Sequence, residues 1–242
     1  MESKAWIEAV KENSAQFVEA VGVAGLEAPV PTCPAWTVAD LVGHMGRVHR
    51  WVLGILETQA QESPGRPAGP DEGTDLLTWV QEGAERLVEA LTIADPQTQV
   101  WNWAAGAAGP VEFWHRRMAH ETAVHRVDAE SAAGKSCGVE PPELAVDGLD
   151  ELFELIQARF KTVARSPERT FHFHATDVVG EWHLRLTSDH LEVVRRHAKA
   201  DVALRGPASD LELFAYNRGS ADRLEIFGEP ALLDEWRARM RF

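Results

Sequence analysis

Cys33 and Cys137 are the chain's only cysteines, and they stand in no CxxC pattern. A disulfide framework or a thiolate zinc cluster needs more, so free thiols in a reducing cytoplasm are expected. No apolar run approaches the roughly 20 residues of a membrane span, so no membrane partner is expected. The opening stretch, MESKAWIEAVKENSAQF, carries acids and has no apolar h-region, so no secretory signal is read there. Basic residues are also short: 24 Lys and Arg stand against 38 Asp and Glu, a formal charge of −14. That balance repels phosphate backbones and argues against nucleic acid as a partner. With 242 residues and an ordinary 45% hydrophobic content, the chain has room for one large domain or two small ones, each with its own core.

What is present is organised around WHRRMAHETAVHRVDAE, Trp114 to Glu130. Met118, Ala119, Thr122, Ala123 and Val127 recur three and four apart, one face of a helix. Glu121 and His125 are four apart, so their side chains sit one turn above the other. A carboxylate and an imidazole placed this way suit a divalent ion such as zinc, which needs at least one more ligand; His44 is the best placed. The motif is not a zincin HExxH, because the residue four after His120 is Val124. An exposed helix pair has the same spacing, so spacing alone does not decide between the two.

In chain order, Ala5–Val21 reads as an amphipathic helix closed by Gly22 and Gly25. Pro29, Pro31 and Pro34 forbid a helix before Thr37, which with Asp40 forms a capping-box start for a helix from Val38 to about Glu57. His44 lies at or near that helix's buried face, as a core histidine or as a ligand. His49, five residues on, is expected to be solvated. Gln59–Gly73 reads as a loop. A third helix is capped by Thr74 or Asp75 and stopped at Asp95-Pro96. Val100–Pro110 is read as a loop whose Trp101 and Trp103 either cover a pocket or simply pack. Four helices would give a bundle over residues 1–133, able to hold a metal on inward polar side chains.

Residues 134–142, rich in Gly and Pro, read as a linker. Beyond it, residues 143–242 read as α+β: a helix from Leu144 to Ala164, then strands at Thr170–Ala175, Glu181–Thr187, His190–Arg195 and Asp201–Arg205. A helix capped by Ser209 or Asp210, a strand at Arg223–Phe227 and a helix ending at Met240 follow. The expected sheet is antiparallel with helices on one face. His172 and His174 share a strand face, taken as the wet one, and no second metal site is read there.

Two blocks, PTCPAWTVADLVGHMGRVHRW and RMAHETAVHRVDAE, resemble the signatures of the mycothiol-dependent maleylpyruvate isomerase family, and GPASDLELFAYNRGSADRLEIFGEPALLDEW resembles the end of its second domain. The resemblance implies a DinB-like four-helix bundle with a divalent metal, followed by a sterol-carrier-like α+β domain. Carried over by position, the family's metal ligands fall on His44, Glu121 and His125. A thiol-binding arginine falls on Arg218, with Arg47 and Arg117 as alternatives. Mycothiol is the implied thiol and zinc the first choice of metal; the partners are then a small thiol and a small electrophile, in a monomer or small homo-oligomer.

Three protein ligands and one open position mark catalytic rather than structural zinc. A bound thiol would be deprotonated there and would add to an electrophilic carbon. Isomerisation of a cis enedioate and S-transfer share that first step. Asp40 and Asp128 are each placed to orient a ligand imidazole. A non-catalytic binding module and a metal-dependent hydrolase are the rival readings.

Overall fold

The computed structural model describes residues 1–104, 106–136, 140–159, 168–187 and 190–239. Cys137, the expected extension of the Leu144 helix to Ala164, and Met240 lie outside them. The chain forms two compact units, Met1–Gly138 and Val139–Phe242. Among the described residues no helix is long and apolar enough to cross a membrane.

The first unit is built on α1 (Ser3–Ala24), α2 (Val38–Thr58), α3 (Leu76–Ile93) and α4 (Glu112–Ala132). Helix α1 packs on α3 and α4, and α2 packs on the same two. Each start has a local cause. Thr37 Oγ1 accepts from Asp40 N–H, and Asp40 Oδ2 accepts from Thr37 N–H at 2.9 Å, so α2 begins in a true capping box. Asp75 accepts from Leu77 and Thr78 N–H at the head of α3. The proline-rich segment before α2 closes on itself: Val30 N–H bonds Trp36 O, Val38 N–H bonds Ala28 O, and Pro29 bridges to Thr37. The closure brings Thr32, Cys33 and Trp36 up beside α2 and α4.

Helix α4 is buried on nearly every side, although it is rich in charge. Arg126, 1% exposed, donates to both oxygens of Glu130 at 2.8 Å and to Asn13 Oδ1 of α1 at 2.6 Å. Removing one partner of such a buried pair leaves an uncompensated charge, so this contact fixes how α4 lies on α1.

The stretch expected as a loop holds two short strands. β1 (Gln99–Asn102) and β2 (Ala107–Pro110) form an antiparallel hairpin. AAGAAGP has none of the alternation or β-branching that marks a strand, so this pairing rests on backbone hydrogen bonds that composition does not show. Gly106, at φ 63°, takes the left-handed turn. Trp101 packs edge-on against Trp51, Trp51 against Trp114, and Trp103 against Phe113. These tryptophans thus pack on the aromatic rings of α2 and α4.

The second unit contains α5 (Pro142–Arg159), β3 (Arg169–Ala175), β4 (Glu181–Leu186), β5 (Leu191–Val194), β6 (Val202–Gly206), α6 (Ala208–Ala215), β7 (Glu225–Gly228) and α7 (Ala231–Arg239). The expected antiparallel sheet is corrected: it is mixed, in the order β5-β4-β3-β6-β7, with β3 and β6 parallel. Period-two alternation reports which residues share a face and says nothing of strand direction, so the sequence could not show this. Phe171 and Phe173 face the helices, meeting Phe153 of α5, Phe214 of α6 and Trp236 of α7. His172 and His174, alternating with them, face the other way.

Between β5 and β6 the chain returns across the sheet. Val194 is level with His183, His183 with His172, and His172 with Ala203. Residues 195–201 therefore cover three strand spacings, about 14 Å, without moving along the strands. The crossing runs over the histidine face.

Candidate metal centre

Helix α2 presents His44 and helix α4 presents Glu121 and His125, and the structure brings the three together across 77 residues of sequence. His44 Nε2 lies 3.2 Å and His125 Nε2 3.6 Å from the same oxygen, Glu121 Oε1. All three ligand atoms lie within 4.8 Å of one another. The side chains are 25%, 21% and 10% exposed, so the cluster is partly open to solvent.

The surroundings orient each group. His125 Nδ1 donates to Asp128 Oδ2 at 2.8 Å, which leaves Nε2 facing the cluster. Asp128, fully buried, also accepts from Thr32 Oγ1 at 2.5 Å, with Cys33 Sγ 3.7 Å away. Asp128 is thus the carboxylate that orients the His125 imidazole; Asp40 is occupied by the helix cap. Arg117, an alternative for thiol binding in the sequence, lies one turn before Glu121 and pairs with its other oxygen, Oε2. The Trp36 ring lies against both imidazoles, 5.2 Å from His44 and 6.1 Å from His125 between ring centroids. Sequence reasoning missed Trp36 and Thr32 because nothing in their local pattern shows how the proline segment folds back.

The charges follow from this packing. Burial pushes the Glu121 carboxyl up, but Arg117 and then the two imidazoles outweigh it and hold it well below its usual range. Burial also pushes His125 down, yet the carboxylates of Asp128 and Glu121 prevail and raise it to about 9. Without an ion, His125 is an imidazolium between two carboxylates.

His49, expected to be solvated, is instead buried: it is 2% exposed, and neither ring nitrogen has a hydrogen-bond partner. Burial holds it down at about 4, so it is neutral at pH 7. Its spacing from His44 suggested a different face, but α2 is covered on more than one side. Arg218 lies in the second unit, just after α6, where its guanidinium donates to Tyr216 O at 2.8 Å.

Family models match both units. Residues 7–130 match the mycothiol maleylpyruvate isomerase N-terminal domain, and residues 143–235 match the MDMPI C-terminal domain. The chain belongs to the mycothiol maleylpyruvate isomerase family. Among solved structures, a mycothiol-dependent maleylpyruvate isomerase superposes on this family member with a TM-score of 0.65 at 12% identity, covering 95% of each chain. A histidine-to-alanine mutant of a mycothiol-dependent maleylpyruvate isomerase gives 0.64 at 13%, also over 95% of each chain. At that identity the likeness is one of fold. No curated protein matches the chain.

Proposed function

We propose that this chain is a metal- and mycothiol-dependent enzyme that activates a thiol at His44, Glu121 and His125 for addition to a small electrophile. The observation that carries the reading is the convergence of these three side chains, from two helices, on one point. The donor set fits a divalent ion: two imidazoles and a carboxylate, one imidazole held by a buried carboxylate through its far nitrogen. The four helices of the first unit suit the DinB-like bundle that the family resemblance implies, and the ligand set suits zinc first, as it also suits nickel, cobalt or iron.

When bound, a divalent ion with an open position supplies the Lewis acidity that makes a thiol a thiolate at neutral pH. The chain's own residues do the rest. Asp128 holds His125 in the ligating tautomer, and Arg117 offsets charge on the outer oxygen of Glu121. Trp36 shields one side of both imidazoles from water. Addition of the thiolate sulfur to a cis enedioate forms a C–S bond and leaves a single C–C bond free to rotate; expulsion of the same thiolate gives the trans product. If the carbanion left by addition instead takes up the proton that the thiol gave up, the adduct is kept and the outcome is S-transfer. Arg218 is our assignment for the anionic part of the thiol, on the match of FAYNRGSADR to the family.

Metal analysis with thiol titration tests the reading. His44→Ala should lose one equivalent of zinc and the thiol affinity with it, whereas Arg218→Ala should weaken the thiol and keep the metal. Wild-type metal content in His44→Ala overturns the ligand assignment.

A further inference from the structure

The second unit carries a cluster that the reaction above does not use. On the sheet face turned away from the helices, His172 and His174 stand two apart on β3, Glu181 lies opposite His174 on β4, and His197 arrives on the crossing segment. Three imidazole nitrogens meet a single oxygen: His172 Nε2, His174 Nδ1 and His197 Nδ1 lie 3.0, 2.8 and 2.5 Å from Glu181 Oε1. The four ligand atoms lie within 4.8 Å of one another.

Hydrogen bonding explains this only in part. A carboxylate oxygen has two lone pairs in good directions, enough for two of the three imidazoles. The third is His172. Its Nε2 is buried and close to the oxygen, yet it is angled so that it makes no hydrogen bond. A buried imidazole nitrogen left without a hydrogen bond, beside two others and a carboxylate, is a donor that an ion would satisfy. Zinc bonds of 2.0–2.2 Å at tetrahedral angles set donor atoms about 3.3–3.6 Å apart, so an ion would seat the three nitrogens slightly farther from Glu181 Oε1 than they now stand.

We propose that His172, His174, Glu181 and His197 form a second site for a zinc-class divalent ion, separate from His44/Glu121/His125, which clamps the crossing segment to the sheet. Four protein ligands and no open position mark it as structural rather than catalytic. Three ligands come from paired strands and are held in place by the sheet. His197, whose side chain is 77% exposed, comes from a segment of seven residues without a strand or helix of its own, so it is the ligand that the ion captures. The site rests on none of the first unit's residues.

The test uses the full chain, stripped with a chelator and titrated with zinc against a chromophoric competitor, then with cobalt(II) for its visible spectrum. His197→Ala and Glu181→Gln are compared with wild type, with His190→Ala as a control at another exposed histidine. Both site variants should lose one zinc equivalent, or bind it about tenfold or more weakly, together with an intense tetrahedral cobalt band; His190→Ala should keep both. In the His44→Ala background the same equivalent should remain, so the two sites are read independently. Equal zinc stoichiometry and affinity in wild type, His197→Ala and Glu181→Gln overturns the proposal. So does equal loss in His190→Ala, which would mark diffuse surface chelation, or a weak octahedral cobalt spectrum.

Discussion

His125 is the residue whose surroundings decide most. Its value of about 9 in the ion-free protein, against about 6.5 when unfolded, means that folding favours its protonated form. That contribution is fully present below pH 6.5 and is lost as pH rises through 9. By linkage it amounts to about 3 kcal/mol. Chelator-treated protein should therefore unfold at lower denaturant as pH climbs from 6.5 to 9, and His125→Gln should flatten this slope; an unchanged slope in the variant would remove His125 as the cause. At the proposed centre a metal would have to displace this proton, so zinc affinity there should rise with pH over the same range. Part of this site was legible in the sequence. Spacing put Glu121 and His125 on one face, and the position of His44 beside Met45 aimed it inward. Asp128 was visible as a possible support, but its burial was not. Trp36 and Thr32 were invisible because the closed loop that carries them is set by backbone hydrogen bonds among prolines.

At the scale of elements, the seating of α2 positions His44. Gly46 is one turn from Gly43 and faces α3, where a Cβ would meet the Trp79 ring at 1.9 Å. The ring cannot retreat easily, since Arg50 lies over it at 4.0 Å while also donating to Trp79 O at 2.7 Å. Alanine gains about 1 kcal/mol of helix propensity, but overpacking at this distance costs about 3 kcal/mol. Gly46→Ala should therefore destabilise the first unit by about 2 kcal/mol, measured by urea unfolding, and weaken metal binding with it. A stabilised variant would show that α2 and α3 can move apart. Elements with caps and helical period were readable before the structure, because Thr37, Asp40 and Asp75 satisfy terminal N–H groups that any helix there must satisfy. The β1–β2 hairpin and the parallel β3–β6 pairing were not, since both depend on partners distant in sequence. The histidine cluster of the second unit escaped for the same reason: alternation paired His172 with His174, but only the crossing brings His197.

The whole molecule has two separate cores. Trp236, fully buried, meets Phe153, Phe171 and Phe173 and donates to Ala215 O, all within the second unit. Phe17, Leu41, Met45 and Val80 belong to a core of the first. Trp236→Ala should cost about 3–5 kcal/mol. Calorimetry should place that loss in the transition of residues 139–242 and leave zinc at His44 unchanged. A single transition that shifts as a whole would show the two units unfolding as one.

The stacking of Trp36 on His44 and His125 has a practical consequence. The indole ring lies against both of the imidazoles proposed as metal ligands. An imidazolium beside an indole quenches its emission, and a neutral, ligating imidazole does so far less. The proposed centre would thus carry its own optical reporter: loading with zinc should brighten Trp36, so that binding could be followed by light without a label.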